Sequence, residues 1–489
     1  MTSNSTCSSC WKKLVIALTG ALLLVLVSLP LIGTAQDAAV PRVATPEPSS
    51  AEISGASSAG PGPAPVPPPR DFLVARGEYL ARAGDCISCH SRPNGAPFAG
   101  GLAMNTPFGT IVSTNITPDS EQGIGQYTQA DFTRTLREGK ARDGHYLYPA
   151  MPYTNFAKLT DDDLSALYAY FMKGVQPAKQ DNTKTSLSWP YNMRWLMAGW
   201  NALYLHKETF AAEPAQTAEW NRGAYLVQGL GHCGACHTPR SITGAEKAPT
   251  HRDGDRFLAG TIIDGWYAQP LRNTTETHGA GLLGWSGKDI VDYLKTGRNK
   301  HTAAFGAMTE VVANSTQYLS RQDLAAIATY LKSLGNSPGT VAAAAPPVSN
   351  EAATVVLRQG SVSQRGAMVY LNNCNACHRS DGQGAQRTFP TLGHNSAVAA
   401  ADPTSLIRIV LQGSAMAHTE EAPSRLAMPG FGWRLTDFNI ADVVSFIRSS
   451  WGNQAASVSP EEVGKVRDAL VKSAKAESSR QDLKRVLSR

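Results

Sequence analysis

The chain has 489 residues, too many for one ordinary domain and enough for three or so at the usual ~100–200 residues each. Its formal net charge of +6 is modest for that length and is not gathered into a basic patch, so nothing in the composition argues for a nucleic-acid binder.

Lys12 and Lys13 precede an apolar run from Leu14 to Ile32, broken near its end by Pro30 and Gly33. This is the form of a secretory signal, with small residues that allow cleavage after Ala35. The run is also about long enough to span a bilayer and stay as an anchor, with the lysines on the cytoplasmic side. Either outcome predicts that everything downstream lies outside the cytoplasm. Residues 36–70 are rich in Pro, Ala and Ser, end in "PGPAPVPPPR", and lack the large apolar residues a core needs, so they read as an extended linker.

The first chemistry-bearing motif is "GDCISCH", ending at His90. "GHCGACH" ends at His237 and "NNCNACH" at His378, so Cys-x-x-Cys-His occurs three times. The pairs Cys86 and Cys89, Cys233 and Cys236, Cys374 and Cys377 use six of the eight cysteines; Cys7 and Cys10 are followed by Trp11 and make no fourth site. The spacing is the attachment pattern of c-type haem: each thiol bonds one porphyrin vinyl group, and the adjoining imidazole is held under the iron. A zinc site needs a second ligand pair, and the two spare cysteines could complete at most one. A redox dithiol wants a βαβ setting that the flanking residues do not offer.

Each motif sits in a longer repeat. "ARGEYLARAGDCISCH", "NRGAYLVQGLGHCGACH" and "QRGAMVYLNNCNACH" share Arg-Gly, apolar residues at helical spacing, and the motif. Shorter helices closed by glycine follow in "ADFTRTLREG", "GKDIVDYLKTG" and "TSLIRIVLQG". Final helices opened by a Ser or Thr cap follow in "TDDDLSALYAYFMKG", "SRQDLAAIATYLKSLG" and "TDFNIADVVSFIRSSWG". The expectation is an all-α chain of three tandem units at 71–180, 219–336 and 359–453. An aromatic-rich connector (181–218), a plain linker (337–358) and a charged, basic tail (454–489) complete it, the tail being either a surface helix near lipid or a partner, or a solvated, partly frayed one.

A second axial ligand is expected in the loop before each final helix. Met308 is the one methionine between His237 and the end of its unit, and it lies 16 residues before Leu324. Met151 lies 13 before Leu164 and Met428 lies 12 before Ile440, so the three positions correspond. The pairs are His90 with Met151, His237 with Met308, and His378 with Met428. His/Met ligation fills both axial positions and raises the potential, which suits electron transfer rather than reaction at iron. The loop histidines His145, His278, His301, His394 and His418 are alternatives in principle. Arg92, Arg240 and Arg379 follow their motifs closely and are candidates for pairing haem carboxylates. Phe98, Phe156, Trp266, Trp285 and Trp433 are among the loop aromatics available to cover a porphyrin.

From about Phe72 to Asn453 the chain resembles the three-haem cytochrome c subunits of membrane-bound dehydrogenases, the quinoprotein alcohol and flavin-dependent gluconate or sorbitol types. The likeness rests on "GDCISCH", "TPFGTIVSTNITPD", "LYPAMPY", "ALYAYFMKGVQP", "GHCGACHTPR", "STQYL", "NACHRSDGQG" and "AMPGF". The resemblance implies three cytochrome c-like domains, each wrapping one haem c, on the periplasmic face of the bacterial inner membrane. It implies a separate catalytic dehydrogenase partner of quinoprotein, flavoprotein or molybdenum type, and delivery of electrons to ubiquinone. The same ligand pairs follow from it. The long leader and the extended tail depart from the family pattern. The rival reading is a stand-alone multihaem cytochrome, either a free carrier or a peroxidase with one iron left open.

Overall fold

The computed structural model of the chain describes residues 71–272, 281–282, 284–335, 351–360 and 363–487. The expected signal or anchor (1–35), the Pro-rich leader (36–70) and residues 337–350 of the expected linker lie outside the described residues.

Helix α1 (Phe72–Ala83) opens under Asp71, whose carboxylate accepts the Leu73 N–H. It runs into the short α2 (Cys86–His90). After strands β1 (Ala103–Thr106) and β2 (Gly109–Val112) comes α3 (Gln129–Glu138), begun by a Thr128–Asp131 capping box and ended by Gly139 at φ 61°. Helix α4 (Asp161–Ala169) starts under Thr160. Strand β3 (Ser186–Leu187) pairs with β2, and α5 (Leu196–Tyr204) closes this part of the chain.

The order then recurs. Helices α6 (Ala218–Gln228) and α7 (Gly234–His237) precede the hairpin of β4 (Thr261–Ile263) and β5 (Trp266–Ala268). Next come α8 (Gly287–Thr296), α9 (Ala307–Asn314) and α10 (Arg321–Ser333). The last third holds α11 (Glu351–Gln359), α12 (Arg365–Asn373), α13 (Asn375–His378) and α14 (Thr404–Gln412). Strands β6 (Gly413–Ala415) and β7 (Ala427–Pro429) form a hairpin before α15 (Asp437–Arg448) and α16 (Pro460–Leu487).

Helix dominates, but the chain is not purely α: among the described residues three small antiparallel sheets hold loops for which the sequence predicts no strand. Their strands have two to four residues, too short for alternation to show, and every residue of β1 and β2 is only half-buried.

Three helix pairs form the frame, α1 on α4, α6 on α10 and α12 on α15. All three cross at the glycine of the repeated Arg-Gly. A Cβ on Gly77 would lie 2.0 Å from the Ala166 carbonyl oxygen, one on Gly223 2.0 Å from that of Ala326, and one on Gly366 2.2 Å from that of Asp442. Backbone meets backbone there, which only glycine permits. The first two pairs share one continuous apolar core, from Leu80 through Tyr225 to Leu334, while the third has its own, from Leu357 to Val463. Residues 351–358, the end of the expected linker, are helical and bury Leu357 in the third core. The start of α16 packs on that core too: Val463 is fully buried, and Arg467 bonds Asp437 and the carbonyls of Gly432 and Leu435.

Candidate functional site

Each Cys-x-x-Cys-His segment is a single helical turn set at the end of the helix that crosses its partner. The chain enters the first at Asp85, which takes a left-handed φ of 49° and accepts the Ser88 hydroxyl at 2.6 Å. That break lets the turn leave the axis of α1 and present its side chains sideways.

The three histidines are held alike. Nδ1 of His90 lies 2.7 Å from the Thr114 carbonyl, that of His237 2.6 Å from Gln269, and that of His378 3.0 Å from Pro390. A carbonyl only accepts, so Nδ1 carries the proton and Nε2 keeps its lone pair for a metal. Burial holds all three imidazoles below their ordinary pKa, which keeps them neutral.

Among the described residues the six motif cysteines form no disulfide. Burial pushes Cys86, Cys233 and Cys374 up to about 12, the opposite of the lowered value a redox thiolate needs. Among the described residues no group of three His, Cys, Asp or Glu side chains is placed to hold a bare metal ion.

The surroundings fit a bound macrocycle bearing carboxylates. Beside the second motif, Trp266 Nε1, Arg240 Nε, both amide atoms of Gln269 and Oε2 of Glu246 are buried without partners among the described residues. Buried polar atoms are nearly always hydrogen-bonded, so these atoms are open to a bound group. Arg240 gives its other nitrogens to the carbonyls of Gly244 and Ala235, and Arg379 pairs with Asp381, whereas Arg92 is exposed. Phe98, Phe156, Trp266 and Trp285 are buried, while Trp433 is 83% exposed beside Arg434.

Met151 packs, with Cys86, on the first core, and Met428 packs, with Cys374, on the third. Met308 stands on the first turn of α9 against Ala304, Val312 and Ala417. Just before it, Gly306 lies against the indole of Trp266, three residues from the Gln269 that holds His237. Of the loop histidines, His145 pairs with Asp143, His301 stacks on Trp285 near Asp289, His418 is exposed against Pro423, and His394 is exposed with its backbone N–H on Asn453. His278 lies outside the described residues.

Sequence reasoning missed the contact between the first two motifs. Asn314 Nδ2 donates to Ser88 Oγ at 2.9 Å, Ser315 Oγ to the Ala83 carbonyl at 3.3 Å, and His232 Nε2 lies 3.3 Å from the Gly84 carbonyl. The helix bearing Met308 thus ends on the turn bearing Cys86 and Cys89. Around it the chain pairs with itself like a two-fold dimer. Asp163 accepts from Arg76 of its own helix pair and from Tyr225 of the other; Asp323 accepts from Arg222 of its own pair and from Tyr79 of the other. The third repeat has Met368 where Tyr79 and Tyr225 stand, and it takes no part. A readable sign existed, the shared Arg-Gly-x-Tyr, but its cross-unit partner did not show.

The cytochrome c family profile matches residues 74–174 and 363–451. The gluconate 2-dehydrogenase cytochrome c subunit of Pantoea cypripedii is 49% identical over 403 residues, 81% of this chain and 90% of that protein. The cytochrome c subunit of the quinone alcohol dehydrogenase of Gluconobacter oxydans is 47% identical, over 81% and 82%. The fructose dehydrogenase cytochrome subunit of Gluconobacter japonicus is 37% identical, also over 81% and 82%.

Proposed function

The chain belongs to the family of cytochrome c subunits of membrane-bound dehydrogenases, and from that premise we propose that it is an electron-transfer subunit with three covalent haems in three cytochrome c-like domains. One observation carries the reading: the same device occurs three times, two thiols three apart and an imidazole whose Nδ1–H is committed to a backbone carbonyl. Haem c attached there supplies one-electron transfer, and His/Met ligation by His90 with Met151, His237 with Met308 and His378 with Met428 suits that task. The chain's own part is to fix each imidazole's tautomer and direction, to line the site with apolar side chains, and to keep the first two motifs in register through Asn314, Ser315 and His232.

Electrons enter from a catalytic subunit of quinoprotein, flavoprotein or molybdenum type and leave to ubiquinone, with the chain on the periplasmic face of the bacterial inner membrane. The named functions of the relatives support a dehydrogenase partner. Among the described residues no helix is long and apolar enough to cross a membrane. A peripheral contact is supported by α5, which has no charged residue and buries no side chain; around it Trp189, Trp195 and Leu203 are 78%, 66% and 72% exposed. Exposed indoles of this kind suit the headgroup layer of a bilayer.

The test is to purify the solubilised complex through a tag on this chain and record the visible spectrum before and after adding ethanol, gluconate, sorbitol or fructose. Co-purification of a large redox subunit, with haem reduction by one of these, supports the proposal. A chain that comes alone, is reduced by none and turns over peroxide overturns it.

A further inference from the structure

We propose a small-oxyanion site, for phosphate or carboxylate, in the seam between the second and third helix pairs. A cavity of about 340 Å³ opens there between the loop after α8 and the loop that follows His378. None of the motif cysteines lines it, nor do His378, Met308 or Met428, but Arg379, which follows His378, and Pro390, whose carbonyl holds that imidazole, do, so the cavity borders the third motif without including an iron-ligand position. Its wall carries Arg298, Lys300, Arg379 and Arg387 with Thr388 and Thr391, and no carboxylate.

Arg298 anchors the site. It is 4% exposed, and its terminal nitrogens donate to the carbonyls of Arg387, Ala422 and Ser424, which ties the two loops together. Its Nε is buried and has no partner among the described residues. Three carbonyls take its other donors but do not neutralise its charge, so an anion in the cavity offsets the cost of burying it. Burial and the neighbouring Arg387 cation both hold Arg298 below its ordinary pKa, a strain that an anion relieves. Lys300 and Arg379 are partly neutralised by Asp289 and Asp381, whereas Arg387, on a backbone held at φ 60°, is the cation brought to the mouth. The exposed Arg387 guanidinium beside the Thr388 hydroxyl suits an oxyanion better than a spherical halide, because the two offer directed donors to several oxygens.

The experiment is isothermal titration of the purified holoprotein with inorganic phosphate and, separately, with succinate, in chloride buffer. Saturable binding at one site per chain is expected, and the tighter of the two anions identifies the natural class. Arg387→Gln, at an exposed side chain, should weaken binding about tenfold without changing the haem spectrum. Arg298→Gln should abolish it; if that variant unfolds, Arg387→Gln decides alone. No saturable binding of either anion, or binding unchanged by Arg387→Gln, overturns the proposal.

Discussion

At the scale of single residues, the function rests on committing one nitrogen of each histidine. The three Nδ1–H donors end on carbonyls of Thr114, Gln269 and Pro390, in loops of unrelated sequence. The sequence singles out these three histidines by their motifs but cannot show their acceptors, which lie 12 to 32 residues downstream. The methionine assignment is checked by Met308→Ala. We expect one haem to fall in potential or turn high-spin while all three stay attached; an unchanged spectrum and redox titration would remove Met308 from the ligand set. A second prediction concerns Asp323. Burial raises its carboxyl, but bonds from Arg222 and Tyr79 outweigh that and hold it below its ordinary value. A carboxyl lowered in the folded state contributes stability above the unfolded pKa of about 3.9 and loses it as pH falls through the folded pKa. Asp323→Asn should therefore cost roughly 1–3 kcal/mol at neutral pH and flatten the acid limb of the stability profile below about pH 4. A variant whose acid limb matches the parent would show that the pair contributes nothing.

At the scale of elements, the repeated glycine decides how closely each helix pair packs. Gly223→Ala places a methyl 2.0 Å from the Ala326 carbonyl oxygen, so α6 and α10 must part. A loss of roughly 1–3 kcal/mol, seen as a drop of several degrees in Tm, is expected. Gly199→Ala, in a helix where nothing lies within 4 Å of the added carbon, should be neutral or slightly stabilising. Equal melting temperatures for the two would disprove the packing account. The long helices were legible because capping residues and apolar stripes are local. The hairpins were not, since β4 with β5 and β6 with β7 are three residues long and are defined by their partners. The tail reads as a surface or solvated helix, because its few apolar residues give no sign that Val463 is fully buried against the third core.

At the scale of the whole molecule, the first two motifs act as a unit. Asn314, Ser315 and His232 bond the second to the backbone and hydroxyl of the first. Asn314→Ala with His232→Ala should slow electron equilibration between two haems in flash photolysis while each keeps its own spectrum and potential. Unaltered kinetics would mean that the seam is not what sets their separation. By itself the sequence determined the attachment chemistry, the threefold repeat and the helical frame, because thiol spacing, caps and apolar periodicity act over a few residues. The two-fold joining of the first two repeats, the separate third core and the cationic cavity were decided only by the tertiary structure. They depend on contacts such as Tyr79 to Asp323 and Arg298 to Ser424, made between residues far apart in the chain and brought together by burial of apolar surface.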